Sequence, residues 1–159
     1  MMLGCEGSKE VRNHDTRSIV MASEAVTNPR DTGSADAECL MMLLAFLANQ
    51  EIPTDLLYRG ASPRKRWDEG GEIVGTDAAY LGLSDDLIRI CSPEKLPNTL
   101  SKLQSMSVII WISKSNFKLV ETERNVILRR LPSSTYSFWR LQALILASRS
   151  IPWKYLEKM

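Results

Sequence analysis

Leu96-Pro97-Asn98-Thr99-Leu100-Ser101-Lys102-Leu103-Gln104-Ser105-Met106-Ser107-Val108-Ile109-Ile110-Trp111-Ile112-Ser113-Lys114-Ser115-Asn116-Phe117-Lys118-Leu119-Val120 is the stretch that decides the fold. Leu96, Leu100, Leu103 and Met106 recur at spacings of four, three and three, which predicts one buried helical face. Val108 to Ile112 is then β-branched and aromatic, too short for a helix and suited to a strand. Ser113-Lys114-Ser115-Asn116 makes a tight turn, and Phe117-Lys118-Leu119-Val120 makes the return strand.

Helix, strand, turn and strand in that order form the second half of a winged helix. The expected fold class is therefore mostly α and winged-helix-like, with helices, a short β-hairpin wing and a C-terminal helical extension. Upstream, Ser92-Pro93-Glu94 offers a cap, a proline and an acid for a helix start, and Pro97 is expected to delay the regular helix to about Asn98. Asp77 to Ile90 suits one or two short helices interrupted at Gly82. Ser62 to Thr76 reads as loop, with the basic trio Arg64, Lys65 and Arg66 and Trp67 balanced by Asp68, Glu69 and Glu72. That local balance favours a solvated loop over a phosphate-binding patch with a stacking tryptophan.

Thr54 to Tyr58 predicts a short helix stopped by Gly60. Before it, Ser34 or Asp36 can cap a helix through Cys39 to Leu47 that is apolar on nearly all sides, hence the central element, ending at Asn49-Gln50. Residues 1–34 are polar and broken by Gly and Asn, which predicts a disordered N-terminal tail. On the C-terminal side, Val126, Ile127 and Leu131 return to helical period and stop at Pro132. A last helix is expected from about Ser134 to Arg149, with Phe138, Leu141, Leu144 and Ile145 turned inward and Pro152 as its stop. The expected organisation is a tail over 1–34, a winged-helix-like domain with C-terminal helices over 35–153, and a tail over 154–159.

The 159 residues hold 20 Lys and Arg against 19 Asp and Glu, so the bulk charge draws the chain neither to nucleic acid nor to an anionic membrane. The longest strongly apolar run, Cys39 to Ala48, is far short of the roughly 20 residues that span a bilayer. Cys5, Cys39 and Cys91 are widely separated and read as reduced thiols. With no secretory pattern at the N-terminus, they point to a cytoplasmic protein.

Three stretches carry a family resemblance: Leu43-Leu44-Ala45-Phe46-Leu47 followed by Ile52-Pro53-Thr54-Asp55-Leu56-Leu57; Leu100 to Ile109; and the wing passing into Glu121-Thr122-Glu123-Arg124-Asn125-Val126-Ile127-Leu128. Their order resembles the winged-helix region, of otherwise unknown function, that follows the ATPase core in large fungal NB-ARC proteins of the STAND type. The likeness covers about Asp36 to Trp153. It implies a neighbouring NB-ARC ATPase domain or helical-repeat domain as partner, in cis or in trans. In that family the return strand ends in a histidine that reaches the nucleotide. The matching positions here are Leu119, Val120 and Glu121, so no functional residue is carried over.

Gly4-Cys5-Glu6-Gly7-Ser8-Lys9 lacks the spacing of a phosphate loop and precedes no apolar helix, so no ATP cradle is expected. The only histidine, His14, lies in the polar tail, and the carboxylates are scattered: Asp85 and Asp86 suit a helix start, Glu121 and Glu123 stand two apart beside Arg124. No catalytic, cofactor or metal residue is singled out. The expected function is a non-catalytic regulatory and protein-interaction module, with Trp153, Tyr155 and Trp67 as candidate docking residues. The alternative is a winged-helix DNA-binding protein. Its reading helix, Glu94 to Met106, offers Lys95, Asn98, Lys102 and Gln104 but no Arg, so no nucleic acid is expected as partner.

Overall fold

The structure, a computed structural model, describes residues 32–47 and 50–151. The tail expected over 1–34 lies outside these residues except for Thr32 to Ser34, and so do Trp153, Tyr155 and the tail expected over 154–159. The first helix, α1 (Thr32–Phe46), starts ahead of both expected caps. Asp36 is not a cap because its carboxylate is engaged elsewhere. Arg89 donates to it through both terminal nitrogens, at 3.0 and 2.8 Å, and Lys95 lies 3.6 Å away. Leu40, Leu43, Leu44 and Ala45 of α1 are fully buried, which fits the expectation of a central helix covered on most sides.

A two-residue strand, β1 (Ile52–Pro53), leads directly into α2 (Thr54–Ala61). The segment expected to be loop is instead a β-hairpin, with β2 (Arg64–Trp67) antiparallel to β3 (Ile73–Thr76). Its turn chemistry explains the difference. The Asp68 amide donates to the Glu72 carbonyl, Asp68 Oδ1 accepts from the Glu72 amide, and Gly71 takes φ 79°, open to glycine without strain. Arg-Lys-Arg-Trp has no apolar alternation to announce a strand, so the turn residues were the available signal.

After one 3-10 turn (Ala79–Leu81), Gly82 adopts φ 90° and Ser84 caps α3 (Asp85–Ile90), its hydroxyl accepting from the Leu87 amide. The next helix, α4 (Leu96–Ser105), begins earlier than about Asn98, since Pro97 falls in the first turn where no intrahelical N–H is needed. Leu96, Leu100 and Leu103 are buried as expected, but Met106 is 44% exposed. Met106 is the last half-helical residue, and Ser107 at φ 60° lets its own amide reach Gln104 O and the Val108 amide reach Leu103 O. This paired closure turns the chain out of the helix and lifts Met106 off the core face.

The expected hairpin comes next, as β4 (Ile109–Trp111) and β5 (Asn116–Leu119). β5 also pairs with β1, Ile52 opposite Phe117, giving a three-stranded antiparallel sheet in the order β1-β5-β4. Phe117 is fully buried and meets Trp111 edge-on at 5.5 Å. The chain closes with α5 (Glu121–Arg130) and α6 (Ser133–Ser150). Arg124 of α5 donates to Ala45 O, satisfying a carbonyl at the end of α1. The protein is thus mostly helical, with a small three-stranded sheet and a separate two-stranded one.

The Asp36 cluster carries the first testable consequence. Hydrogen bonds from Arg89 hold the Asp36 carboxyl below the usual carboxylate range, against burial, which pushes it up. A depressed carboxyl contributes stability that is present above its unfolded value of about 3.9 and is lost as pH falls through its folded value. Replacing Asp36 with Ala should cost about 1–2 kcal/mol at pH 7, the scale of a charged hydrogen bond reduced by solvent screening of the half-exposed Arg89. The difference from wild type should shrink below about pH 4. Urea titrations across pH 3 to 7 test this, and a pH-independent difference would contradict it.

Candidate functional site

The last helix has two unlike sides, and neither is the one its apolar spacing suggested. Facing inward are Gln142, Ala143, Leu146 and Arg149. Phe138, Leu141 and Leu144, expected inside, are 45, 51 and 65% exposed. Ile145, the fourth, is half-buried and packs at the edge of the core. Because apolar residues lie all round this helix, period alone could not choose its buried stripe. The buried polar side chains decide it.

Gln142 is 2% exposed and satisfies both ends of its amide: Oε1 accepts from the Ser84 amide at 2.8 Å, and Nε2 donates to Gly82 O at 2.9 Å. Arg149 is 8% exposed; Nε donates to Gly60 O at 2.9 Å, and one terminal nitrogen donates to Ser62 O at 2.7 Å and Thr76 O at 3.1 Å. Burial, with Arg64 and Arg66 nearby, lowers the Arg149 pKa, and Asp77 opposes this. The two residues were missed in the sequence because a polar residue on an apolar helix reads as its solvent side. Their spacing of seven, with Leu146 between them, is the signal that could have placed them on one stripe.

With that side clasped, the opposite side of α6 points to water. Leu141 and Leu144, with Ile151 just past the helix at 61% exposure, form a short row along it, while Phe138 is exposed nearer the Gln142 side, toward the start of the helix. Exposed Arg140 stands beside the row, and α6 carries no acidic residue. Single exposed apolar side chains are ordinary, whereas an aligned row of large ones marks an interaction surface.

Of the docking residues expected from the sequence, Trp67 is 48% exposed on β2, on a different element from the row. Trp153 and Tyr155 lie outside the described residues. Leu119, Val120 and Glu121 sit at the end of β5 and the start of α5, and Leu119 is buried in the core.

Burial pushes the thiol of Cys39 up to about 11 and that of Cys91 up to about 12, so both are protonated at neutral pH and poor nucleophiles. Among the described residues no three His, Cys, Asp or Glu side chains converge to hold a metal, and no helix is long and apolar enough to cross a membrane. An open groove of about 430 Å³ runs over Tyr58, Ala61, Pro63, Ile88, Cys91 and Pro93, with little polar chemistry to orient a ligand. Compared with known families, curated proteins and solved structures, the chain matches none.

Proposed function

We propose that the chain is a non-catalytic regulatory module of winged-helix type, of the kind found after the nucleotide-binding core in fungal NB-ARC signalling ATPases, and that it works by docking a neighbouring domain on α6. The observation that carries the reading is the exposed row Leu141, Leu144 and Ile151. Support for the winged-helix architecture comes from the element order and from β1 joining the hairpin through β5 in the order β1-β5-β4. A neighbouring ATPase or repeat domain seated on the row transmits rigid-body rotation through α6. Gln142 and Arg149 tie that helix to the rest of the fold.

DNA reading draws less support. The solvent side of α4 presents Asn98, Ser101, Lys102 and Ser105 with a single cation, and Gln104 already accepts a hydrogen bond from Trp111 Nε1.

Two experiments test the proposal. A full-length transcript should continue upstream into a phosphate-loop ATPase and downstream into helical repeats; one that holds neither overturns the role in cis. Leu144→Glu should leave unfolding free energy within about 1 kcal/mol of wild type, as surface changes do. If Leu144→Glu instead cost the 2–5 kcal/mol typical of a disrupted core leucine, the row would belong to the core and the docking reading would fall.

A further inference from the structure

We propose that the exposed side of α6 takes an amphipathic α-helix of the neighbouring domain, one that brings large apolar side chains to Ser137 and Ser148 and an acid to Arg140. This rests on the reading of that side as a docking face and names the element that fills it. Ser134, Ser137, Leu141, Leu144 and Ser148 follow one another at intervals of three, four, three and four, and Ile151 adds a further three just past the helix. All of them are exposed, while Gln142, Ala143, Leu146 and Arg149 hold the other side inward.

Alternating steps of three and four average 3.5 residues, the repeat that keeps one helix in register along another. An extended strand presents every second residue and a polyproline helix every third, so neither follows this seam. From Ser134 to Ser148 the seam runs about 21 Å, which gives room for about four turns of a partner helix crossing at about 20°.

The seam is large in the middle and small toward its ends. The Ser148 hydroxyl donates to the Ile145 carbonyl at 2.9 Å, so its hydrogen is satisfied within α6 and a partner side chain can cover it without stranding a donor. Phe138 and Ile145 flank the seam on the Gln142 side and extend its apolar surface. Arg140 flanks it on the other side. Among the described residues Arg140 has no acidic partner, and α6 carries no acid, so a carboxylate on the partner meets an unopposed charge.

Size and charge separate this occupant from a second copy of the chain. Paired with itself in register, in either direction, the seam sets serine against serine and brings no acid to Arg140. The seam and its flanks also fall short of the roughly 20–30 residues a side that a stable interface between folded proteins uses.

The test uses the full chain with labelled leucine and isoleucine methyls and three peptide probes of about 18 residues, the length of such a helix. The first is a hydrocarbon-stapled helix with leucine at its seam positions and one glutamate placed to meet Arg140. The second has lysine in place of that glutamate, and the third rearranges the first so that apolar and polar residues alternate. The first should shift the methyls of Leu141, Leu144 and Ile145 saturably, while those of buried Leu40 and Leu43 stay in place and report an intact fold. The second should bind about three-fold more weakly at low salt, the worth of one exposed ion pair, and Arg140→Glu should reverse that order. No saturable shift with the first peptide, or equal binding by the third, overturns the helical occupant. If Leu144→Glu is as stable as wild type in that case, the docking face stands with an occupant that is not a helix; if it is destabilised, the docking reading falls as well. Methyl shifts that change on dilution of the chain without peptide overturn the partner helix in favour of a second copy.

Discussion

Gly60→Ala is expected to lower the unfolding free energy by about 3 kcal/mol, the upper end of what one extra methyl costs in a packed core. Gly60 lies in α2 where that helix packs extensively against α6. A Cβ built there meets the Leu146 carbonyl oxygen at 2.5 Å and Leu146 Cγ at 2.6 Å. The side chain could rotate away, but the carbonyl belongs to the α6 backbone and cannot yield unless the helices part. Parting them also draws Arg149 from Gly60 O.

The sign of this effect discriminates between two forces. Alanine is better than glycine in a helix interior by about 1 kcal/mol, so local propensity acting alone would make Gly60→Ala stabilising. A net loss in urea denaturation shows that the helix crossing wins. Leu146→Ala combined with Gly60→Ala should not recover stability, because it removes the Cγ contact and leaves the carbonyl. A Gly60→Ala protein within about 0.5 kcal/mol of wild type, the range of an ordinary surface change, would show that α2 and α6 separate without cost, and the close approach would lose its significance.

How much of this was legible in the sequence depends on which residues had only one reading. Val108 to Ile112 and Phe117 to Val120 are too short for helices and flank a polar turn, and the hairpin forms there, β5 starting one residue early at Asn116. Leu96, Leu100 and Leu103 had one apolar stripe to occupy and are buried on it. The last helix offered two. Phe138, Leu141, Leu144 and Ile145 make a better apolar stripe than Gln142, Ala143, Leu146 and Arg149, yet the second is inside.

Hydrogen-bonding partners far along the chain decide that choice: Gly82 and Ser84 for Gln142, Gly60, Ser62 and Thr76 for Arg149. No local window contains them. The candidate site was hidden for the same reason, since Leu141 and Leu144 of the exposed row are residues that local spacing assigned to the core. The hairpin β2–β3 was hidden differently. Its strand pairing rests on backbone bonds and on the Asp68 and Gly71 turn, while its side chains look like those of a solvated loop.

Arg149→Met is expected to cost about 3–5 kcal/mol, the range for removing one partner from a buried charged network. Methionine keeps most of the aliphatic volume, so packing against the core changes little and the loss comes from polar groups. Three carbonyls, at Gly60, Ser62 and Thr76, lose their donor at once, and each left buried without another costs about 1–3 kcal/mol. Removing a desolvated cation returns part of this, because burial already works against the charge of Arg149.

The location of the damage is as informative as its size. Gly60 and Ser62 lie at the end of α2, and Thr76 ends β3, so a single guanidinium joins α6 to both ends of the hairpin segment. Amide hydrogen exchange should therefore rise first in β2 and β3, while α1 and α4 retain protection. Arg149→Lys keeps the charge, but its ammonium has no planar fork to hold all three carbonyls, and it should fall between wild type and methionine. Uniform loss of protection across α1 and α4 would mean that Arg149 supports the whole core rather than the hairpin. An Arg149→Met protein as stable as wild type would mean that the three carbonyls find water, and the inward orientation of α6 would then rest on Gln142, Ala143 and Leu146.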